Sequence, residues 1–180
     1  YIAKSSALMS ISSAIERIQK MLLCEKKDNK SDEAFIYQYN HAKKYMDRSE
    51  AIVALKEKNT DSVAVFMKKL VTHESAANLK IKAMNYFSIH KGRMSDEVKN
   101  IFCDLVTTAK SSMVRERALS LLKNEDQQII DPLLMAALED SSCWVVTEAL
   151  NQLSSLDLEK ANVKAKSLMN DKNIDIIIAI

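Results

Sequence analysis

His41, His73 and His90 are the only histidines of the 180-residue chain, and only His73-Glu74 sets an imidazole beside a carboxylate. Such a pair suits a transition metal, but a metal needs several donors converging on one point. The equivalent positions of the repeats described below hold His41-Ala42, Thr108-Ala109 and Glu139-Asp140, which cannot supply the rest. His73-Glu74 therefore reads as a surface dipeptide at a helix end. H-E-x-x-H, G-x-x-x-x-G-K-[ST] and G-x-S-x-G are all absent from the sequence. With Gly92 as the single glycine, a backbone cradle for phosphate is effectively excluded. Cys24, Cys103 and Cys143 show no C-x-x-C spacing, and the last two sit among apolar neighbours. They read as free thiols, with Cys103 and Cys143 buried and no disulfide expected. No residue of this segment is expected to be catalytic, to hold a metal or to bind a cofactor.

The elements that carry these residues follow from composition. One glycine and one proline cannot supply the turns of a sheet protein. Ala, Leu, Lys, Glu, Met and Ser dominate and favour helix, so the chain is expected to be all-α. The 26 basic and 24 acidic residues are interspersed, giving a formal charge of +2. A nucleic-acid binder usually shows a basic stripe, so nucleic acid is not an expected partner. No run of about 18 apolar residues is present, so no membrane span is expected and the chain reads as soluble.

Order along the chain comes from a repeat. Ala51, Ala83, Ala118, Ala149 and Ala179 recur at intervals of 32, 35, 31 and 30 residues. Each is followed by an apolar residue and, three places later, by another: Ala51-Ile52…Leu55, Ala83-Met84…Phe87, Ala118-Leu119…Leu122 and Ala149-Leu150…Leu153. A period of this length marks an array of helix pairs. The alanine lies on the second helix of each pair. Counting back from it, positions 17 and 16 (Ala34-Phe35, Phe66-Met67, Ile101-Phe102, Pro132-Leu133, Asn162-Val163) and position 12 (Tyr39, Val71, Val106, Ala137, Ser167) mark the first helix. The polar Asn162 and Ser167 make the last repeat fit more loosely. Five places back stand Met46, Asn78, Met113, Trp144 and Ile174, read as core between repeats.

Ser31, Asp61, Ser95 and Asp131 are the expected helix N-caps, with Pro132 at a first helical position and Ile130 stapled to Met135. Gly92 is expected in a left-handed conformation just past a long helix. The spacing predicts helices over 32–42, 45–57, 61–73, 75–91, 95–109, 112–124, 131–139, 142–155, 158–170 and 173–180. These form an α-α superhelix, a solenoid of about four and a half pairs. Residues 1–30 are expected as an N-terminal part: an amphipathic helix through Leu8, Ile11, Ile15, Ile18 and Leu22, then a linker from Cys24 to Ser31, with Met21 to Cys24 alternatively a strand. The array itself spans 31–180. Tyr1 at the start and the all-apolar run Ile176 to Ile180 at the end give the expectation of a segment cut from a larger protein, its last helix covered by something else.

If the second helices line a concave side, the outward polar positions are Glu50, Lys82, Asn85, Tyr86, Arg117, Glu148, Asn151 and Gln152. Such a wall can dock a peptide or another domain; each residue also reads as an ordinary solvated helix position.

Met113-Val114-Arg115-Glu116-Arg117-Ala118-Leu119, together with Leu133 to Asp140 before Trp144-Val145-Val146, resembles the HEAT repeat, over residues 31–180. Lys80 and Val146 stand where that family usually has arginine, so their repeats are expected to lack its charge contact. HEAT likeness implies a helical-repeat fold with protein or peptide contacts. His73-Glu74 resembles the iron-binding pairs of a helical-repeat hydroxylase family, whose further pairs are missing here. The stretch Leu22 to Leu55 resembles the junction where bacterial aminopeptidase N-like zinc peptidases enter a C-terminal helical domain. Lys30, Tyr37-Gln38-Tyr39, His41-Ala42, Asp47-Arg48 and Glu50-Ala51 carry that likeness. It implies a non-catalytic domain that walls the active-site chamber of a zinc aminopeptidase and restricts peptide access. Zinc would sit only in an upstream catalytic domain, itself the expected partner. The alternative is a stand-alone scaffold that binds a protein partner.

Overall fold

The computed structural model describes residues 31–168. The expected helices over 1–30 and 173–180, Cys24, Ile174 and Ala179 lie outside the described residues. Every regular element among the described residues is helical: α1 (Asp32–His41), α2 (Tyr45–Leu55), α3 (Asp61–His73), α4 (Ala77–Ile89), a 3-10 turn (Lys91–Arg93), α5 (Asp96–Thr108), α6 (Ser112–Leu121), α7 (Gln127–Ala137), α8 (Cys143–Leu156) and α9 (Leu158–Leu168). The chain divides into two compact units, 1–58 and 59–180.

In the first unit α1 packs on α2 as a hairpin. Ser31 caps α1 by accepting from the Ala34 N–H at 3.2 Å. Gln38 Nε2 donates to the Asp47 carbonyl at 3.1 Å. Arg48 donates to the Tyr39 hydroxyl at 2.7 Å and lies 4.7 Å from the centre of its ring. Lys58 Nζ closes the hairpin onto Asp32 at 2.9 Å. Gln38, Tyr39, Asp47 and Arg48, joined by these contacts, are among the residues that carry the likeness over Leu22 to Leu55.

In the second unit α3–α4, α5–α6 and α7–α8 are packed pairs. The first helices α3, α5 and α7 also contact their neighbours in order, and so do the second helices α4, α6 and α8. Each second helix therefore touches its own partner and the next second helix. The first helices are joined at their polar edges by Lys68–Glu97 at 2.8 Å and by Lys99 to Glu125, just before α7, at 2.8 Å.

The repeat recurs in backbone geometry. Ala42, Glu74 and Ala109 end α1, α3 and α5 with φ/ψ of −70/125, −69/130 and −67/131. Each returns its N–H to the carbonyl four residues back, Gln38, Leu70 and Leu105. The fourth turn differs, because Leu138 stays helical at −69/−15. Three places before each alanine stand Arg48, Lys80, Arg115 and Val146, of which the three cations reach backward. Lys80 Nζ donates to the Thr72 carbonyl at 3.3 Å, so its repeat keeps a contact although arginine is missing. Val146 is buried.

Ala51, Ala83, Ala118 and Ala149 are all fully buried, and so are or nearly are the residues one and four places after them. The position five back is the correction. Met46, Met113 and Trp144 are 63%, 54% and 72% exposed. At about 100° per residue that position lies about 140° round the helix from the alanine, whereas four back lies only about 40° away. Leu79, Val114 and Val145, four back, are the buried ones.

Five local expectations also change. Thr60, rather than Asp61, caps α3, accepting from the Val63 N–H at 3.4 Å; Asp61 falls in the first turn. The helix expected at 131–139 is Gln127–Ala137, with Pro132 inside it. Ile130, Leu134 and Ala137 are all buried, and only a continuous helix through the proline puts that i, i+4, i+7 set on one face. Met135 is exposed, so it staples nothing to Ile130. Gly92 lies in the 3-10 turn without positive φ, since α4 already ends at Ile89. Cys103 and Cys143 are free but half-buried; burial first, then Asp104, raises the Cys103 thiol above its ordinary range.

Ala118→Leu adds a bulky side chain at a point with no exposure, so it should cost about 1–3 kcal/mol by overpacking. Ala136→Leu, on the exposed side of α7, should stay within about 0.5 kcal/mol of the parent. Urea unfolding of both variants checks this; equal midpoints would contradict the assigned faces.

Candidate functional site: a groove on the second helices

Because α4, α6 and α8 adjoin one another, the sides turned away from their alanines form one surface. Ile81 from α4, Met113, Glu116 and Arg117 from α6, and Trp144, Thr147, Glu148 and Asn151 from α8 line a groove of about 540 Å³. Its floor is apolar, with Trp144 and Met113 the most exposed. Two carboxylates and one guanidinium stand around them.

Hydrogen bonds fix the groove. Arg117 Nε donates to Asn85 Oδ1 at 2.7 Å, tying α6 to α4. Gln152 Nε2 donates to the Leu119 carbonyl of α6 at 3.0 Å and to Glu148 Oε1 at 2.7 Å. Below the groove, Arg115 grips the neighbouring turn. Its Nε and Nη2 donate to Asp140 Oδ2 and Oδ1 at 2.6 and 2.7 Å, while Nη1 donates to the Ala109 carbonyl at 2.8 Å. Asp140 Oδ1 also accepts from the Ser142 N–H at 2.8 Å, just before α8. The Arg115 guanidinium is the main reason that the Asp140 carboxyl is held below its ordinary range.

The eight residues expected on this wall separate. Glu50 is exposed on α2, in the first unit. Arg117, Glu148 and Asn151 line the groove, and Asn85 reaches it through Arg117. Lys82 is half-buried on α4 and is not among the lining residues. Tyr86 and Gln152 are buried, at 0% and 7% exposure, rather than outward. Both stand three places after an alanine, about 60° from it round the helix, which is still the core side. Tyr86 packs edge-on to Phe87, with ring centres 5.2 Å apart. Ile81, Met113, Glu116, Trp144 and Thr147 also line the groove and lie outside that set. For Met113 and Trp144 the signal is the same period, counted with the helix angle from the alanine.

Two of the three histidines have aromatic ring partners. His41 stacks on Tyr37 at 3.8 Å, and His90 lies 4.5 Å from the Tyr86 ring. Glu74 is buried and accepts from the Ala76 N–H at 2.8 Å, holding the turn before α4. Among the described residues no three His, Cys, Asp or Glu side chains gather as metal ligands. No helix of the described residues is long and apolar enough to cross a membrane. The groove offers contact and charge.

Asp140 contributes stability above its unfolded pKa, and that contribution is lost as pH falls through its depressed folded value. Asp140→Asn should therefore cost about 1.5–3 kcal/mol at pH 7, since the lost hydrogen bonds are charge-assisted and mostly buried. The difference should shrink as pH drops below about 4. Unfolding curves between pH 3 and 7 (on the order of the aspartate titration range) check this, and a constant difference would contradict it. No protein-family model, curated protein or solved structure matches this chain.

Proposed function

We propose that residues 31–168 belong to a non-catalytic helical-repeat module of the HEAT type, a solenoid whose second helices dock a protein or peptide segment. The observation that carries this reading is the groove itself. Large apolar side chains on a monomer surface are usually scattered, whereas Trp144 and Met113 stand together in one concavity. Tryptophan is also the residue type most enriched at binding hot spots. The recurring turn geometry and the backward-reaching Arg48, Lys80 and Arg115 support the repeat reading.

A narrower form of the proposal places the module as the C-terminal domain of a zinc aminopeptidase. There the groove would face peptides bound for the chamber, and zinc would belong to another domain. The interlocked Gln38, Tyr39, Asp47 and Arg48 support it, since they give the junction-like residues a shared structural task in closing the first hairpin. In this form the coding sequence upstream contains H-E-x-x-H, and removing the module changes the preferred peptide length more than the chemical step. An upstream frame without that motif leaves the scaffold form of the proposal.

Peptide display on the full 180-residue chain tests docking. Selected peptides should bind at least about tenfold more weakly to Trp144→Ala, a loss of one hot-spot contact. The melting temperature should hardly move, because the side chain is exposed. Peptides that bind Trp144→Ala equally well, or a display that enriches none, would overturn the proposal.

A further inference from the structure

The acidic side of the groove is short of hydrogen-bond donors. Glu116 is half-buried, and no hydrogen bond from a described residue reaches its carboxylate. Burial first, and then the negative charge of Glu148, push its carboxyl above the ordinary range, while Arg117 pulls it back. Arg117 has its Nε committed to Asn85. Glu148 accepts from Gln152 Nε2 alone among the described residues, on one of its two oxygens. Two carboxylates thus share a groove with one guanidinium, whose hydrogen bond among the described residues goes to Asn85 and to neither carboxylate. Beside them stand Trp144 and Met113.

We propose that this groove receives a lysine or arginine side chain of a docked protein segment. Its aliphatic stem lies on Trp144 and Met113, and its cation is shared by Glu116 and Glu148. The inference deepens the docking function proposed above and rests on it. Lysine and arginine match both halves of the site, because each carries an apolar stem and a charged end. The tryptophan face attracts a cation through its quadrupole. Each carboxylate then gains the charge-assisted donors it lacks. An acidic side chain would bring a third negative charge to Glu116 and Glu148. A wholly apolar one would take the Glu116 carboxylate further from water without a partner.

The test uses acetylated, amidated peptides enriched on the full chain and dependent on Trp144. Each lysine and arginine in them is replaced by glutamine in turn, and binding is measured by calorimetry. At one position the replacement should weaken binding about tenfold or more, the worth of a charge-assisted contact. Glu116→Gln with Glu148→Gln should cost the same, and the two changes together should cost no more than either alone. Added salt should weaken binding of the parent pair and leave the doubly neutralised pair nearly unaffected. Enriched peptides without lysine or arginine, or equal binding after the glutamine changes, would overturn the inference. Docking would survive either result, since those peptides still depend on Trp144; loss of Trp144 dependence is what overturns docking itself.

Discussion

The geometry of the candidate site depends on one ion pair. Arg115 holds Asp140 through two parallel hydrogen bonds, and the two side chains are only 13% and 11% exposed. The same guanidinium takes the Ala109 carbonyl at the end of α5, and the same carboxylate takes the Ser142 N–H at the start of α8. One salt bridge therefore joins the turn before α6 to the turn before α8. That spacing sets Met113 and Trp144, each beside one of those turns, on a shared floor. A lysine in place of Arg115 would offer a point charge without the fork that makes this junction rigid.

The sequence period located this arrangement but not all of its faces. The alanines, and the apolar residues one and four places after them, were legible because a buried stripe at helical spacing has few alternatives. Phase errors arose where a large apolar residue stood on the outward side. Trp144 and Met113 look like core by type, and their exposure shows only when the helix angle is counted from the alanine. Tyr86 and Gln152 erred the opposite way: polar by type, they stand on the core side. The NH2 group of Gln152 donates there to the Leu119 carbonyl and Glu148, while its Oε1 has no partner among the described residues. Trp144, Met113 and Gln152, three of the residues misread by type, build or hold the groove.

Local signals failed where tertiary packing outweighed them. Asp131-Pro132 has the form of a helix start, yet the burial of Ile130 and Leu134 carries α7 through the proline. Gly92 has the form of a helix terminator, yet the chain turns there through the 3-10 segment. Arg93 then holds that turn to the start of α3, donating to Asn59 Oδ1 at 2.7 Å and pairing with Asp61. Nothing in the spacing of Arg93, Asn59 and Asp61 announces that contact, because the residues meet only after the α3–α4 pair has formed. The charge network was similarly hidden: composition gives balanced charge, and only the fold shows Lys68, Lys99 and Arg115 reaching the neighbouring pair.

Trp144 is the single tryptophan of the chain, so its fluorescence reports on the groove alone. The most direct test of the account is collisional quenching of that fluorescence by acrylamide, in the free chain and with a docked peptide. In the free protein emission and quenching should be close to those of a solvated indole, and docking should shield the indole and shift its emission to the blue. A blue-shifted, quencher-resistant tryptophan in the free protein would return Trp144 to the core and remove the groove as a binding surface.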